Sequence, residues 1–289
     1  LKTHKSHSIG VIVPQIVSTF FATVVKTIEE VADGHGYNVL VISSNESFQK
    51  EQKSVEVLMA NRADGIILAL SHETKDYEHI KMIQESGTPI VLFDRTTNEL
   101  NVSRVVTDGV TAAFQAVQHL VSEGCKKIAL LCGPENVAIG GNRMEGYEKA
   151  MEANHLPAKT ELIWHCSDFT VEAGKEATRQ LLSRKERPDA IFGITDDLAI
   201  GAIEAIKEKG LNIPEDIAVV GFSNTKRSRY MNPTVSSINQ FPEKIGRAAA
   251  ELLFDQILNS KHAQIKKEII NCELIVRESS DRRCRHDRC

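Results

Sequence analysis

Short apolar runs alternate with longer stretches of mixed polarity along the whole chain. The short runs are nearly continuous in Val, Ile and Leu, which is typical of parallel strands covered by helices on both faces of a sheet. The stretches between them carry apolar residues at helical spacing, and Gly36 and Gly87 stand where helices would end. In the first half the predicted strands are Ile9–Pro14, Tyr37–Ile42, Asp64–Leu70 and Pro89–Asp94, and the predicted helices are Phe20–Asp33, Gln49–Asn61 and Lys75–Glu85.

The same order of elements recurs in the second half. In both halves the first and third strands begin roughly 60 residues apart, and the third and fourth roughly 25 apart, which is the period of a repeated structural unit. This spacing predicts an α/β fold made of two similar doubly wound parallel-sheet subdomains. The predicted strands of the second half are Ile128–Cys132, Leu162–His165, Asp189–Ile194 and Ile217–Phe222.

Three more elements follow or connect these repeats. Gly109–Glu123 is predicted as the helix that leads into the second half, Pro242–Leu258 as a long helix, and Cys272–Glu278 as a last strand. This surplus helix and strand predict that the chain crosses between the halves more than once and forms a multi-strand hinge. The predicted subdomains are 8–108 with 239–267 and 109–238 with 268–280, and 281–289 is predicted as a disordered or non-native tail.

Composition narrows the classes of function. The 289 residues carry a net charge of −4, so the body of the chain offers no basic field that would attract nucleic acid. The six cysteines include no C-x-x-C pair, which predicts reduced thiols in a reducing compartment. Neither a signal peptide nor an apolar run of about 18 residues occurs. We therefore expect a cytoplasmic protein with no membrane contact.

A ligand of an open α/β sheet binds beyond the carboxyl ends of its strands. Phe20 and Phe21 follow the first strand, and Phe169 follows the second strand of the other half, so rings from both halves could enclose a flat or sugar-like ligand. One of the two adjacent rings is also a candidate for the core. Arg143 could donate to ligand oxygens, or it could be an ordinary surface residue.

Short polar residues follow the later strands. Asp196, together with Thr195, begins a helix, where capping explains it as well as ligand binding does. Ser223 and Asn224 equally suit a turn. Asp196 and Asp197 would point in different directions and make a poor acid–base pair, and no nucleophile, metal or phosphate motif occurs. We expect neither an enzyme nor a cofactor or metal site.

Many ordered stretches carry a family resemblance. They include IGVIVP (9–14), RADGIIL (62–68), TPIVLFDR (88–95), RMEGYEKAM (143–151) and RPDAIFGITDDLAIGA (187–202), followed by IPEDIAVVGFSN (213–224). From about Ile9 to Ser280 the sequence resembles the regulatory core of the lac repressor/galactose repressor family. The resemblance implies a periplasmic-binding-protein-like fold of type I. It also implies a homodimeric transcription regulator whose inter-lobe cleft binds a small effector, usually a sugar or nucleobase.

The resemblance also implies contact residues. These would be Phe20 or Phe21, Arg143, Phe169, Thr195 with Asp196, and Gln240, with Ser223 where the family commonly has Asp and Asn224 beside it. The apolar Val137–Ile139 argues against a purine. Eight residues precede Ile9, too few for the family's helix-turn-helix head, so operator DNA would be bound only through such a head. The alternative interpretation is a periplasmic sugar-binding protein of an ABC importer.

Overall fold

The computed structural model describes residues 6–134, 138–259 and 264–282, with the backbone alone at 138–140. The chain divides into two compact units. Unit 1 comprises Leu1–Thr107 and Phe241–Ile270, and unit 2 comprises Asp108–Gln240 and Asn271–Cys289. The chain therefore passes from one unit to the other three times. The divisions predicted from the sequence, after residues 108, 238 and 267, lie within a few residues of these.

Unit 1 contains a six-stranded sheet in which all neighbouring strands are parallel. The strand order is β11-β5-β4-β3-β1-β2. Its strands are β1 (Ser8–Val13), β2 (Asn38–Ser43), β3 (Ile66–Leu68), β4 (Ile90–Phe93), β5 (Ser103–Thr107) and β11 (Lys267–Ile270), and its helices are α1 (Thr19–Gly34), α2 (Phe48–Ala60), α3 (Glu78–Glu85) and α9 (Pro242–Leu258).

Successive residues of these strands face opposite sides of the sheet, so the uninterrupted apolar runs build two cores. On one side Val11 packs with residues of α1 and α9, and on the other side Ile12 packs with residues of α2 and α3. Gly10 allows α2 to approach β1 closely, because a Cβ there would overlap the Leu58 side chain. Helices thus cover both faces of the sheet, which leaves the ends of its strands accessible.

Unit 2 repeats this plan. Its sheet order is β12-β10-β9-β8-β6-β7, parallel except for the antiparallel pair β10–β12. The strands are β6 (Ile128–Cys132), β7 (Ile163–His165), β8 (Ala190–Gly193), β9 (Ala218–Phe222), β10 (Ser236–Asn239) and β12 (Glu273–Ile275). The helices are α4 (Gly109–Ser122), α5 (Ala138–Ala153), α6 (Val171–Leu182), α7 (Asp196–Glu208) and α8 (Lys226–Tyr230), with a 3-10 turn at Thr160–Leu162.

The two sheet orders correspond strand for strand, so the prediction of two similar doubly wound subdomains is confirmed. Three strands were not predicted from the pattern: β5, β10 and β11. Their sequences, SRVVT, SSIN and KEII, are short and partly polar, and β11 is an edge strand whose charged residues face solvent. The apolar pattern identifies strands that contain runs of Val, Ile and Leu, and it misses short strands that contain several polar residues.

The first two residues of the predicted carboxyl-terminal tail are ordered parts of unit 2. The Arg282 backbone N–H donates to Glu123, and its guanidinium donates to the carbonyl oxygens of Pro214 and Asp189, so Asp281 and Arg282 belong to unit 2. The rest of the predicted tail, residues 283–289, lies outside the described residues. Cys125, Cys132 and Cys166 are buried free thiols, as expected for reduced cysteines, and burial raises the pKa of each to about 12.

Candidate functional site

Arg143 lies at the carboxyl ends of β8 and β9. Its side chain is only 6% exposed, which excludes the interpretation as a surface residue. One guanidinium N–H donates to the carbonyl oxygen of Ile194, directly after β8. The Cζ atom lies 3.7 Å from the centre of the Phe222 ring, in cation–π geometry. The guanidinium is therefore fixed in place at this end of the sheet of unit 2.

Ser223 and Gln240 follow the neighbouring strands β9 and β10. The Ser223 hydroxyl donates to Oε1 of Gln240 across 3.0 Å. The Gln240 side chain is 2% exposed, and its Nε2 has no hydrogen-bond partner in the described part of the chain. A buried N–H without an acceptor costs free energy, so such groups in native proteins call for an explanation. Gln240 Nε2 is therefore a buried donor whose acceptor the described part of the chain does not supply.

Asp196 is held by hydrogen bonds within its own unit, so its position is explained without a ligand, and its ligand contact stays a prediction. The side chain is 1% exposed. One oxygen accepts from the backbone and hydroxyl of Thr225 at 2.6 and 2.9 Å, and the other accepts from Ser237 at 2.5 Å. Burial raises the pKa of this carboxyl although these donors oppose the shift. Asp196 therefore connects α7 to β10 and to the loop after β9.

Two more predicted contacts have internal roles. The Thr195 hydroxyl accepts from the backbone N–H of Leu198 at 3.3 Å and caps α7. Asn224 is buried, with a φ of 48°, and its Oδ1 accepts from Arg277 at 2.6 Å. For both residues the capping or turn alternative is the one that the structure supports. Arg277 lies far along the chain from this turn, and the sequence pattern gave no signal for it.

Of the three phenylalanines predicted as ligand contacts, one lies in a hydrophobic core and two are half-buried. Phe21 is buried in the core of unit 1 with its ring 6.1 Å from that of Phe93, and Phe20 is half-buried beside it. In unit 2, Phe169 is half-buried and lies against Gly133, where a Cβ would overlap the ring. Phe20 and Phe169 are therefore the rings that keep a face available, and Phe21 is a core residue. The Val137–Ile139 segment lies outside the described residues, apart from the backbone of the last two.

At the corresponding end of the sheet of unit 1, Arg95 follows β4 and pairs with Glu46, which follows β2. Arg95 Nη1 lies 2.5 Å from Glu46 Oε2, and Arg95 Cζ lies 5.8 Å from the centre of the Phe21 ring. Burial alone would raise the pKa of Glu46, but the charge and hydrogen bond of Arg95, with donors from His72, hold it below its ordinary value. In the sequence, the only indication of this ion pair was the charged Asp94-Arg95 dipeptide at the end of a predicted strand.

Glu51 secures the loop that follows β3. This buried carboxylate, in the first turn of α2, accepts from the Ser71 backbone N–H at 2.5 Å, from Thr74 at 3.0 Å and from His79 Nε2 at 2.9 Å. The Ser71 hydroxyl in turn hydrogen-bonds to Ser44 at 2.7 Å. The Ser44–Ser71 bond joins the loops after β2 and β3, and Glu51, which the sequence pattern did not single out, holds the second of these loops in place.

Comparison with known proteins identifies the family. Residues 6–278 match the family model described as periplasmic binding proteins and sugar binding domain of LacI family. The chain belongs to this family. It is 34% identical over 280 residues to the HTH-type transcriptional repressor CytR of Escherichia coli K12, covering 97% of this chain and 81% of that one. It is 33% identical to catabolite control protein A of Priestia megaterium, covering 88% and 76%.

Solved structures agree with this assignment. The transcriptional regulator CelR–cellobiose complex superposes with a TM-score of 0.86 at 28% identity, covering 95% of this chain and 85% of that one. A LacI-family regulator from Enterococcus faecium with bound ribose gives 0.84 at 26% identity, covering 94% and 98%. The predicted type I periplasmic-binding-protein-like fold and family are confirmed. The relatives are named as a transcriptional repressor and a control protein and not as enzymes, in agreement with the prediction of a non-enzymatic role.

Residues 6–134, 138–259 and 264–282 contain no cluster of three His, Cys, Asp or Glu side chains that could hold a metal ion. Over the same ranges, none of the helices combines the length and apolar character that crossing a membrane requires.

Proposed function

We propose that this chain is the effector-sensing domain of a transcription regulator and that it binds a small polar ligand, a sugar or a sugar derivative, at the carboxyl ends of its strands. The observation that carries the proposal is Gln240, whose buried amide bonds to Ser223 through one atom and has no partner at the other. A ligand hydroxyl or carbonyl oxygen supplies the acceptor that the protein does not provide.

Other side chains at these strand ends have matching chemistry. In unit 2 the Phe169 ring offers an apolar face for a sugar ring, and Arg143 adds a fixed cation with several N–H groups. In unit 1 Phe20 offers a second ring. We add Arg95 to the predicted set, because its Nε is buried and has no partner within the described ranges. Ser223, where the family commonly has Asp, leaves ligand hydroxyls without a carboxylate at that position.

The relatives favour a regulator over the alternative, a periplasmic sugar-binding protein of an ABC importer, because CytR is a transcriptional repressor and CelR is a transcriptional regulator. A regulator works in the cytoplasm, where we place this chain. The effector would act by favouring one of two conformations and so change the affinity of a DNA-binding head for its operator.

We also propose that the functional form is a homodimer. Leu40 and Val41 of the edge strand β2 and Val57 of α2 are large apolar residues exposed to solvent in unit 1, and Tyr230 of unit 2 is 86% exposed. Apolar edges and exposed aromatic rings are costly on a monomer and are typical of interfaces. A second copy of the chain is the partner that would cover them. Light scattering at micromolar concentration tests the homodimer. If the wild-type chain is a dimer and the Tyr230→Asp variant is a monomer, the proposed interface is supported.

A thermal-shift screen followed by calorimetry tests ligand binding. The panel contains D-ribose, cellobiose, other neutral sugars, sugar acids and nucleosides, because a bound ligand raises the apparent stability by mass action. We expect Gln240→Met to weaken binding of any hit by about tenfold, since one hydrogen bond to a buried donor is lost. Gln180→Met, on the exposed face of α6, is the matched control and leaves affinity unchanged. A panel without hits, or equal affinity for both variants, contradicts the proposal.

A further inference from the structure

The Arg95–Glu46 ion pair spans the carboxyl-end edge of the sheet of unit 1. Arg95 follows β4 and Glu46 follows β2, and in the sheet order β3 and β1 lie between these two strands. The two side chains nevertheless meet at 2.5 Å between Nη1 and Oε2. The pair therefore passes over the ends of two strands, at the edge where ligands of such sheets bind.

The backbone around both residues is arranged to hold this pair. Asn45 and Glu46 have φ values of 49° and 62°, and Asp94, directly before Arg95, has a φ of 56°. Such left-handed conformations are unfavourable for residues other than glycine and cluster where a local function requires them. His72 adds its backbone N–H at 3.0 Å and its Nδ1 at 3.1 Å to the same Glu46 oxygen. Three loops thus converge on one carboxylate.

Glu46 therefore neutralises the positive charge of Arg95 in the absence of a ligand. Only 13% of the Glu46 side chain and 11% of the Arg95 side chain are exposed, so the attraction between them is weakly screened. Arg95 still has a buried Nε without a partner in the described chain, which can donate to a neutral acceptor. A ligand carrying a phosphate or carboxylate would place a second negative charge beside Glu46 and would have to displace it.

We propose that Glu46 is an internal counter-ion of Arg95 that excludes anionic effectors, so that the site selects uncharged ligands. This inference rests on the proposed effector-binding function and adds the charge class of the ligand. Glu46 acts as a specificity-determining residue through Arg95, while Arg95 makes the contact.

Inorganic phosphate tests this without knowledge of the natural ligand. The melting temperature is measured in phosphate and in chloride at equal ionic strength. We expect no Arg95-dependent difference for the wild type, and a phosphate-specific rise of about 3 °C for Glu46→Gln, in which the buried guanidinium has lost its counter-ion. The double variant Glu46→Gln/Arg95→Gln abolishes the rise. Glu30→Gln, which removes an exposed partner of Lys26, behaves as the wild type.

Two results would overturn the inference. One is a Glu46→Gln variant with no phosphate response beyond that of the wild type. The other is a wild-type response to phosphate that Arg95→Gln removes, and this result remains accessible if Glu46→Gln does not fold. The sugar screen is an independent experiment, in which binding of D-ribose is compared with binding of D-ribose 5-phosphate. A screen without hits counts against the proposed function, while the phosphate experiment still decides the role of Glu46.

Discussion

The carboxylate of Asp196 accepts a 2.5 Å hydrogen bond from the hydroxyl of Ser237, and this contact joins the start of α7 to β10. The second oxygen of Asp196 is taken by Thr225. Asp196, which the sequence suggests as a ligand contact, thus holds together three segments of unit 2. We therefore expect its removal to lower the free energy of unfolding.

We expect Asp196→Ala to lower the free energy of unfolding by about 3 kcal/mol, because it leaves the buried donors of Thr225 and Ser237 unpaired. Asp197 is the matched control, since it is the next residue, its side chain is 51% exposed and its Arg227 contact is long at 3.8 Å. Asp197→Ala should change stability by less than about 0.5 kcal/mol. Urea unfolding measures both. Equal losses for the two variants would contradict the structural role of Asp196.

The Arg95–Glu46 pair predicts a pH dependence. The pKa of Glu46 is lowered in the folded chain, so the folded state favours the ionised form and the pair contributes stability above the ordinary glutamate pKa. That contribution is lost as the pH falls through the lowered pKa. We expect Glu46→Gln to cost about 3 kcal/mol at pH 7 and distinctly less near pH 3.5. Urea unfolding at the two pH values checks this, and a difference that does not change with pH would refute it.

Two glycines should respond to alanine with opposite signs. A Cβ at Gly201 of α7 would overlap the backbone carbonyl of Val171, where α6 and α7 pack closely, and we expect Gly201→Ala to destabilise the chain by about 3 kcal/mol. Gly141 of α5 has no atom within 4 Å of its built Cβ. Gly141→Ala should stabilise the chain by about 0.5–1 kcal/mol through helix propensity. Thermal unfolding with both variants decides the signs.

The Gly133–Phe169 contact links a glycine at the end of β6 to the predicted ligand. A Cβ at Gly133 would meet the far end of the Phe169 ring, which can move aside. We therefore expect Gly133→Ala to weaken ligand binding about as much as Phe169→Ala does, with little loss of stability. The double variant should bind no more weakly than either single one, because the two changes remove the same contact. Additive losses in calorimetry would show that Gly133→Ala does not act through Phe169, and unchanged affinity for Phe169→Ala would show that this ring makes no contact with the ligand.

The apolar pattern predicted those strands that contain a run of Val, Ile or Leu, including the partly exposed edge strand β2. It could not predict contacts that depend on strand order. Glu46 and Arg95 meet only because β2 and β4 belong to one sheet, and Asp196 is satisfied by Ser237 of β10, a strand too polar to be recognised. The resemblance to the family supplied Gln240. It did not reveal that one side of the Gln240 amide lacks a partner, because that follows from packing and not from residue type.

The assignment of α9 and β11 to unit 1 has a consequence for biosynthesis. Unit 1 is interrupted after Thr107 and resumes at Phe241, and α9 fills one of its two cores with Ile245, Ala249 and Leu253. At usual rates of translation the ribosome needs on the order of ten seconds to make the intervening residues. During that interval the first sheet exists without its covering helix, with valine and isoleucine side chains open to water. The nascent chain must be protected from aggregation until the last sixth or so of the protein has emerged.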